Sequence, residues 1–481
     1  MIKHLLLSLC CLAATAVAQE PADTVAGDDL MASDYDSQES DYVKVPKTFR
    51  YRVVFTDKKN SPYSLKRPEE FLSKKALDRR RKYGIKVDRH DLPVSPVYLD
   101  YLRGRGLKVL HTSKWNNTAV VETADSTLMK DLSAIEFIAA TVKVWESPDS
   151  IRRQPLMERH KYLINSRDTL DNFYGHTEQQ VSMLGADKLH AAGFRGEGVT
   201  IAVIDGGFLN ADCIEGLKNC NILGTRNFVG GGKGDVYDAQ SHGTMVLSCI
   251  AADMPGSLVG TAPRASFYLL QSEDNESENL VEEDNWCAAV EYADSLGVDI
   301  VTSSLGYYGF DDPAASHKYH ELDGQTAVNS RSASLAASRG LLVLNSAGNS
   351  GNDPWKKIGF PADARDIITV GALTPSLRNA NFSSLGNTAD GRIKPDVMAL
   401  GQTSWLLDET GSVTVANGTS FSTPILCGAV ACLLQAHPDR RPVEIIRAVQ
   451  QAGNNAEHPD NVYGYGTPDL WKAHEALSKK K

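Results

Sequence analysis

The chain has 481 residues, of which 42% are apolar and 23% are charged, and a formal net charge of −10 at pH 7. This length exceeds that of one ordinary hydrophobic core and predicts two or three folded units. The composition is typical of a soluble globular protein, and the acidic balance argues against a nucleic-acid-binding role.

The N-terminus has the pattern of an export signal. Lys3 and His4 precede an apolar stretch over residues 5–17, and Ala16-Val17-Ala18 is a small-residue cleavage pattern. We therefore expect a signal peptide over residues 1–18 and export to the periplasm, the cell surface or the medium. The apolar stretch is short for a bilayer span, and we expect no transmembrane helix after it.

Residues 19–44 are acidic and lack periodicity, which predicts a disordered linker. Strand-like and helical patterns then alternate and predict a small α+β domain over residues 45–145. Its expected helices cover residues 68–83, 96–105 and 128–135.

The small domain is strongly basic. Residues 51–110 carry 16 Lys and Arg against 7 Asp and Glu, a balance of +9 in a chain whose total is −10. A basic segment joined to an acidic body should be attracted to it. The alternative is a solvated basic helix face.

Residues 146–178 show no clear period and predict a processing linker. Residues 179–481 hold short apolar runs that alternate with helical segments. This pattern predicts an α/β fold with a doubly wound, mostly parallel sheet and helices on both faces.

Cys213 and Cys220 share one loop of this α/β segment, and their spacing leaves a disulfide and two free thiols equally open.

Three short segments carry candidate catalytic side chains. Asp205 ends an apolar run, His242 lies in Ser-His-Gly-Thr, and Ser420 lies in Gly-Thr-Ser-Phe-Ser-Thr-Pro. A serine hydroxyl becomes a useful nucleophile when a base takes its proton and a carboxylate orients that base. The order Asp, His, Ser differs from that of chymotrypsin-like enzymes and of lipase-type hydrolases.

These segments resemble those of subtilisin-like serine peptidases (subtilases), in particular exported Bacteroidetes-type members with an N-terminal propeptide. The resemblance implies a subtilisin-like fold preceded by a propeptide domain, and an Asp205-His242-Ser420 triad. It also implies that Asn349, in Ala-Gly-Asn, donates to the oxyanion. The substrate-binding residues that it implies are Ser304, Leu305, Gly306, Ala347 and Gly348.

Three features depart from the family pattern or extend it. Gly206 stands where the family has Ser or Thr, which removes one hydrogen-bond donor near Asp205. Residues 273–283 form an acidic loop that would select basic substrate residues, attract the basic propeptide, or simply lie in solvent. Residues 307–323 are longer than in compact subtilisins and are expected to lie over the cleft.

The expected function is that of a secreted serine endopeptidase made as a self-inhibited precursor. Its partners would be protein or peptide substrates and its own propeptide, which acts as an intramolecular inhibitor. The chemistry requires no cofactor and no catalytic metal. The sequence assigns no residues to a structural calcium, because the chain has no Asp-x-Asp-x-Asp-Gly loop, and calcium binding is left as an open question. The alternatives are an inactive peptide-binding surface protein and an esterase on the same scaffold.

Overall fold

The computed structural model describes residues 42–152 and 169–479. The strands of these ranges are β1 (Tyr42–Lys44), β2 (Phe49–Phe55), β3 (Lys108–Ser113), β4 (Thr118–Thr123), β5 (Ile138–Glu146), β6 (Ser150–Arg152), β7 (Thr200–Asp205), β8 (Asn221–Asn227), β9 (Asp253–Met254), β10 (Leu258–Val259), β11 (Ser266–Gln271), β12 (Ile300–Ser303), β13 (Leu342–Ser346), β14 (Ile368–Leu373), β15 (Val397–Leu400), β16 (Ser404–Leu407) and β17 (Val413–Ala416). The helices are α1 (Lys74–Tyr83), α2 (Pro96–Gly104), α3 (Glu178–Ser182), α4 (Ala186–Ala191), α5 (His242–Ala251), α6 (Val281–Leu296), α7 (Val328–Ser338), α8 (Thr419–Ala436), α9 (Pro442–Gln451) and α10 (Leu470–Lys479).

The described residues form two compact units. The smaller unit combines residues 42–47 with residues 147–152, and β1 pairs antiparallel with β6 in it. Both strands lie in segments that the sequence assigns to linkers. The expectation of disorder is therefore wrong for Tyr42–Lys44, because main-chain pairing needs no apolar pattern. The predicted signal peptide and most of the acidic linker lie outside the described residues.

The larger unit begins with a four-stranded antiparallel sheet in the order β3-β4-β2-β5. Its core contains Val53, Phe55, Tyr98, Leu102 and Val121. The helix predicted over residues 128–135 is wrong. Short 3-10 turns take its place, because the chain turns left-handed at Asp131 (φ 63°) and breaks the helical hydrogen-bond ladder.

A seven-stranded parallel sheet follows in the order β15-β14-β13-β12-β7-β11-β8. Ile201 and Val203 of β7 enter the core that contains α5 and α8, while Ala202 and Ile204 enter the core that contains α6 and α7. A sheet that is buried on both faces needs the continuous apolar strands that the sequence shows. The α/β doubly wound prediction is confirmed.

The strand order reverses beside β7. From β7 the chain moves through β8 and β11 on one side of the sheet, and then returns to β12 on the other side. Ligands of open α/β sheets bind at such a switch point, beyond the carboxyl ends of the strands. Asp205 ends β7, and Ser304 follows β12 at that edge.

One helix of the described residues, α8, is long and apolar enough to cross a membrane, and 89% of it is buried inside the protein. Such burial is typical of a core helix. No disulfide joins the six cysteines of the described ranges, so Cys213 and Cys220 are not bonded to each other.

Candidate active site

Asp205 is fully buried at the end of β7. Its Oδ1 accepts hydrogen bonds from the Gly206 N–H and from His242 Nδ1, both at 2.8 Å. Its Oδ2 is buried and has no hydrogen-bond partner among the described residues. A side chain on Gly206 would meet Gln240 Oε1 at 2.6 Å from its Cβ, so Gln240 fills the space of the Ser or Thr found in the family.

Close backbone packing sets the position of His242, the first residue of α5. The Gly243 N–H donates to the Gly207 carbonyl at 3.0 Å. A Cβ on Gly243 would lie 2.3 Å from that carbonyl oxygen, a distance that no side chain tolerates. Glycine at position 243 therefore allows the start of α5 to reach the turn that follows Asp205.

The His242 ring is partly exposed, with 22% of its side-chain surface accessible. Nδ1 carries the proton that bonds to Asp205, which leaves Nε2 as an acceptor in the neutral ring. Burial opposes the charged ring, but the charge and hydrogen bond of Asp205 outweigh it and raise the pKa of His242 above its ordinary value. The ring also lies 5.8 Å from that of Phe421, next to Ser420.

Ser420 is the second residue of α8 and is 8% exposed. Its hydroxyl donates to the Ser304 carbonyl at 3.3 Å, and the Ser304 hydroxyl donates to the Ser420 carbonyl at 2.9 Å. Among the described residues, the Ser420 hydroxyl thus bonds to Ser304 rather than to His242. Catalytic hydrogen bonds commonly form only once substrate is bound. The N–H groups in the first turn of α8 favour negative charge beside this hydroxyl.

The Asn349 side chain is oriented by Thr419. Its Oδ1 accepts from the N–H and from the hydroxyl of Thr419, both at 2.9 Å. An N–H must donate, so the atom facing it is the oxygen and Nδ2 points elsewhere. Nδ2 lies 3.6 Å from the Cβ position of Gly418, two residues before Ser420, and donates to no partner within the described ranges.

Three of the predicted substrate-binding residues, Gly306, Ala347 and Gly348, lie around Gly359, a glycine that the sequence analysis did not identify. The Gly359 N–H donates to the Ala347 carbonyl at 3.1 Å, and a Cβ on Gly359 would lie 3.5 Å from the Gly306 Cα. Ala347 is fully buried, so it can offer only backbone to a ligand, whereas Gly306 is exposed. The glycine within residues 358–361 is the sequence feature that could have indicated these contacts.

Profiles of known families match both parts of the chain. The subtilase family profile matches residues 196–466, and the profile of the peptidase S8 propeptide domain of Bacteroidota matches residues 50–160. The chain belongs to the subtilase family.

Similar proteins of known name support this family assignment. Subtilisin NAT from Bacillus subtilis subsp. natto is 32% identical over 261 residues, which cover 54% of this chain and 61% of that protein. Serine protease AprX from Bacillus subtilis is 30% identical over 303 residues, which cover 56% of this chain and 65% of that protein. The chain thus spans less than two thirds of either relative.

The crystal structure of the epidermin leader peptide processing serine protease EpiP from Staphylococcus aureus shares the fold. It superposes with a TM-score of 0.60 at 18% identity and covers 90% of this chain and 100% of that chain.

In this subtilase the propeptide domain contacts one acidic face of α6. Arg52 binds Asp284 through two hydrogen bonds of 2.6 and 2.8 Å. Arg80 and Lys114 bind Asp294 at 2.8 and 3.1 Å, and Asp294 is fully buried. These cations lower the pKa of Asp294, although burial by itself would raise it.

The acidic loop over residues 273–283 is held by contacts within the chain. Glu273 accepts from the Tyr307 hydroxyl at 2.9 Å, and Glu282 accepts from the N–H groups of Asp274 and Asn279, both at 3.1 Å. Glu282 and Glu283 are buried, so the solvated-loop alternative is wrong for these two residues.

The carboxylates of Glu273, Glu278 and Glu282 lie within 4.8 Å of one another and offer oxygen ligands of the kind that calcium prefers. Each also has partners within the protein. Calcium binding stays a prediction.

Proposed function

We propose that this subtilase is an exported serine endopeptidase that is made as a self-inhibited precursor. The observation that carries the proposal is the bond between His242 Nδ1 and the buried carboxylate of Asp205. It is supported by Asn349, whose Nδ2 lies 3.6 Å from the Cβ position of Gly418, two residues before Ser420. A peptide-binding protein has no use for a donor oriented in this way.

The reaction follows from these positions. Substrate would lie extended along Ser304 and Gly306, where backbone groups hold it by strand addition. The Ser420 oxygen attacks the peptide carbonyl as His242 Nε2 takes its proton, and the Ser420 N–H and Asn349 Nδ2 donate to the resulting oxyanion. His242 then protonates the leaving amine, which departs as the C–N bond breaks.

Water completes the cycle. His242 takes a proton from water, whose oxygen attacks the acyl carbon, and the serine leaves with that proton. Asp205 stabilises the imidazolium in both steps because its charge is buried beside Nδ1. No group outside the protein and water is needed to balance these steps.

Self-inhibition is supported by how the propeptide domain binds. The propeptide domain covers α6, whose N-terminus continues from the acidic loop beside the cleft. Arg52 and Arg80 of this domain bind buried carboxylates of that helix. An interface of this kind should outlast cleavage of the connecting chain, because each buried charge needs its partner.

Wild-type and Ser420→Ala precursors test the proposal when expressed side by side and analysed by mass spectrometry. We expect the wild type to be trimmed before residue 179 and to hydrolyse casein, and the variant to do neither. Reaction of wild type with a fluorophosphonate probe but not with casein would support an esterase instead. Absence of labelling, trimming and hydrolysis would support an inactive peptide-binding protein.

A further inference from the structure

Residues 307–323 include a histidine that the proposed reaction does not use and whose side chain is largely inaccessible. Only 10% of the His317 side chain is accessible. Its Nε2 lies 2.7 Å from Glu283 Oε1, and its Nδ1 lies 2.9 Å from Glu321 Oε2. A neutral imidazole has one N–H, and an ionised carboxylate only accepts, so both bonds together require the imidazolium.

The His317 ring contacts the part of the chain that builds the substrate cleft. Its centroid lies 4.2 Å from that of Phe360, which is fully buried. Phe360 and Tyr307 exchange two backbone hydrogen bonds of 2.9 Å. Gly359, beside Phe360, binds the Ala347 carbonyl. Phe360 thus connects His317 to two segments that contain predicted substrate-binding residues, Gly306 beside Tyr307 and Ala347 beside Gly359. The resemblance to subtilases implies that these two segments form the pocket for the residue before the scissile bond.

We propose that the His317 imidazolium is a positioning residue for substrate, which acts by holding Phe360 and Tyr307 in the geometry of that pocket. This inference rests on the proposed peptidase function. Tyr307 strengthens the connection, because its hydroxyl donates to Glu273 of the acidic loop, which also contains Glu283. The loop over residues 307–323 would therefore act as a brace for the cleft.

Other charges face the two carboxylates. Arg52 of the propeptide domain lies 4.0 Å from Glu283, and the charge of Glu283 also acts on Arg331 of α7. Glu321 accepts from the Lys318 N–H at 2.8 Å and feels the charge of His320. Propeptide removal takes Arg52 away, whereas His317, Glu283 and Glu321 all belong to the part of the chain that remains.

The charge of His317 depends on pH. Burial disfavours the charged ring, but the bonds and charges of Glu283 and Glu321 prevail and raise the pKa of His317 above its ordinary value. The positive charge is present below that raised pKa and is lost as the pH rises through it. One carboxylate then faces a nitrogen lone pair, and the brace loosens at alkaline pH.

Glu321→Gln tests this directly, because the glutamine amide can donate to a neutral Nδ1 while Nε2–H stays on Glu283. We use a peptide with a large apolar residue before the cut bond. For the activated wild-type enzyme, we expect KM to rise roughly tenfold as the pH rises through the pKa of His317, the loss expected for one hydrogen bond. The kcat value should change little. The KM of Glu321→Gln should not change with pH. The matched control is His320→Gln, at an exposed residue of the same loop, and its KM should rise with pH as that of the wild type does.

A wild-type KM that is flat at alkaline pH, or a Glu321→Gln profile identical to that of wild type, would overturn the inference. Absence of hydrolysis at every pH would refute the proposed function instead. A second measurement then decides the inference: limited trypsin cleavage after Lys318 in the Ser420→Ala precursor, normalised to a reference peptide. It should rise roughly tenfold at alkaline pH in that precursor but not when Glu321→Gln is added. A rate that does not change with pH refutes the brace.

Discussion

Asp205 controls the charge of His242, and this contact predicts how activity depends on pH. The neutral ring is the base, so kcat/KM should fall as the pH falls through the raised pKa of His242. Asp205→Asn should move this acid limb to lower pH and reduce kcat by about 10⁴-fold. Rate profiles of both enzymes between about pH 5 and pH 8, the span in which imidazole titrates, check this. An unmoved limb would mean that another group titrates.

Asn349 allows a second prediction at the same scale. Asn349→Asp keeps an oxygen for both Thr419 donors but removes the Nδ2 donor. We expect kcat to fall by about 10²–10³-fold with KM nearly unchanged, because the donor acts on the charge that develops in the transition state.

The control for that change is Asn352→Asp, which adds the same charge at an exposed position three residues away. Steady-state kinetics of both variants separate donor loss from a general effect of charge. Equal losses in the two variants would remove Asn349 from the oxyanion site.

At the scale of elements, the contact between α5 and the turn after β7 decides where His242 lies. Gly243→Ala forces the helix start away from the Gly207 carbonyl, and a displacement of about 1 Å at a reacting group costs roughly 10²-fold in rate. Gly309→Ala is the matched control, because nothing lies within 4 Å of its Cβ position. Active-site titration together with kcat would show whether the correctly folded fraction, rather than the rate, has changed.

At the scale of the whole molecule, the ion pairs between the propeptide domain and α6 predict that two adjacent arginines contribute differently to stability. Arg80 is buried against Asp91 and Asp294, whereas 72% of the Arg81 side chain is exposed. Arg80→Ala removes one cation from each of two buried carboxylates, while Lys114 still faces Asp294 and Arg339 still faces Asp91. It should therefore lower the free energy of unfolding of the Ser420→Ala precursor by about 3 kcal/mol, the lower end of the range for a broken buried ion pair. Arg81→Ala should leave it nearly unchanged.

Urea denaturation of the two precursors, followed by circular dichroism, measures the difference. Equal stabilities would show that the Arg80 contacts contribute little beyond those of a surface pair.

The sequence by itself determined the strands that are buried on both faces, such as β7 and β13, because continuous apolar runs have few other uses. It also pointed to Asp205, His242 and Ser420 through local motifs. It missed β8, an edge strand whose residues alternate between half-buried and exposed without a strong apolar pattern. It overextended the helix at residues 128–135, where periodicity cannot reveal a left-handed residue.

Only the tertiary structure decided which distant residues meet. No pattern near His317 shows that Glu283, 34 residues away, accepts a hydrogen bond from its ring, nor that Thr419 orients Asn349. Arg80 and Arg81 are adjacent in sequence, yet one is buried and the other exposed. Local patterns record how each segment is buried, whereas pairing across the molecule depends on strand order and on the packing of the propeptide domain against α6.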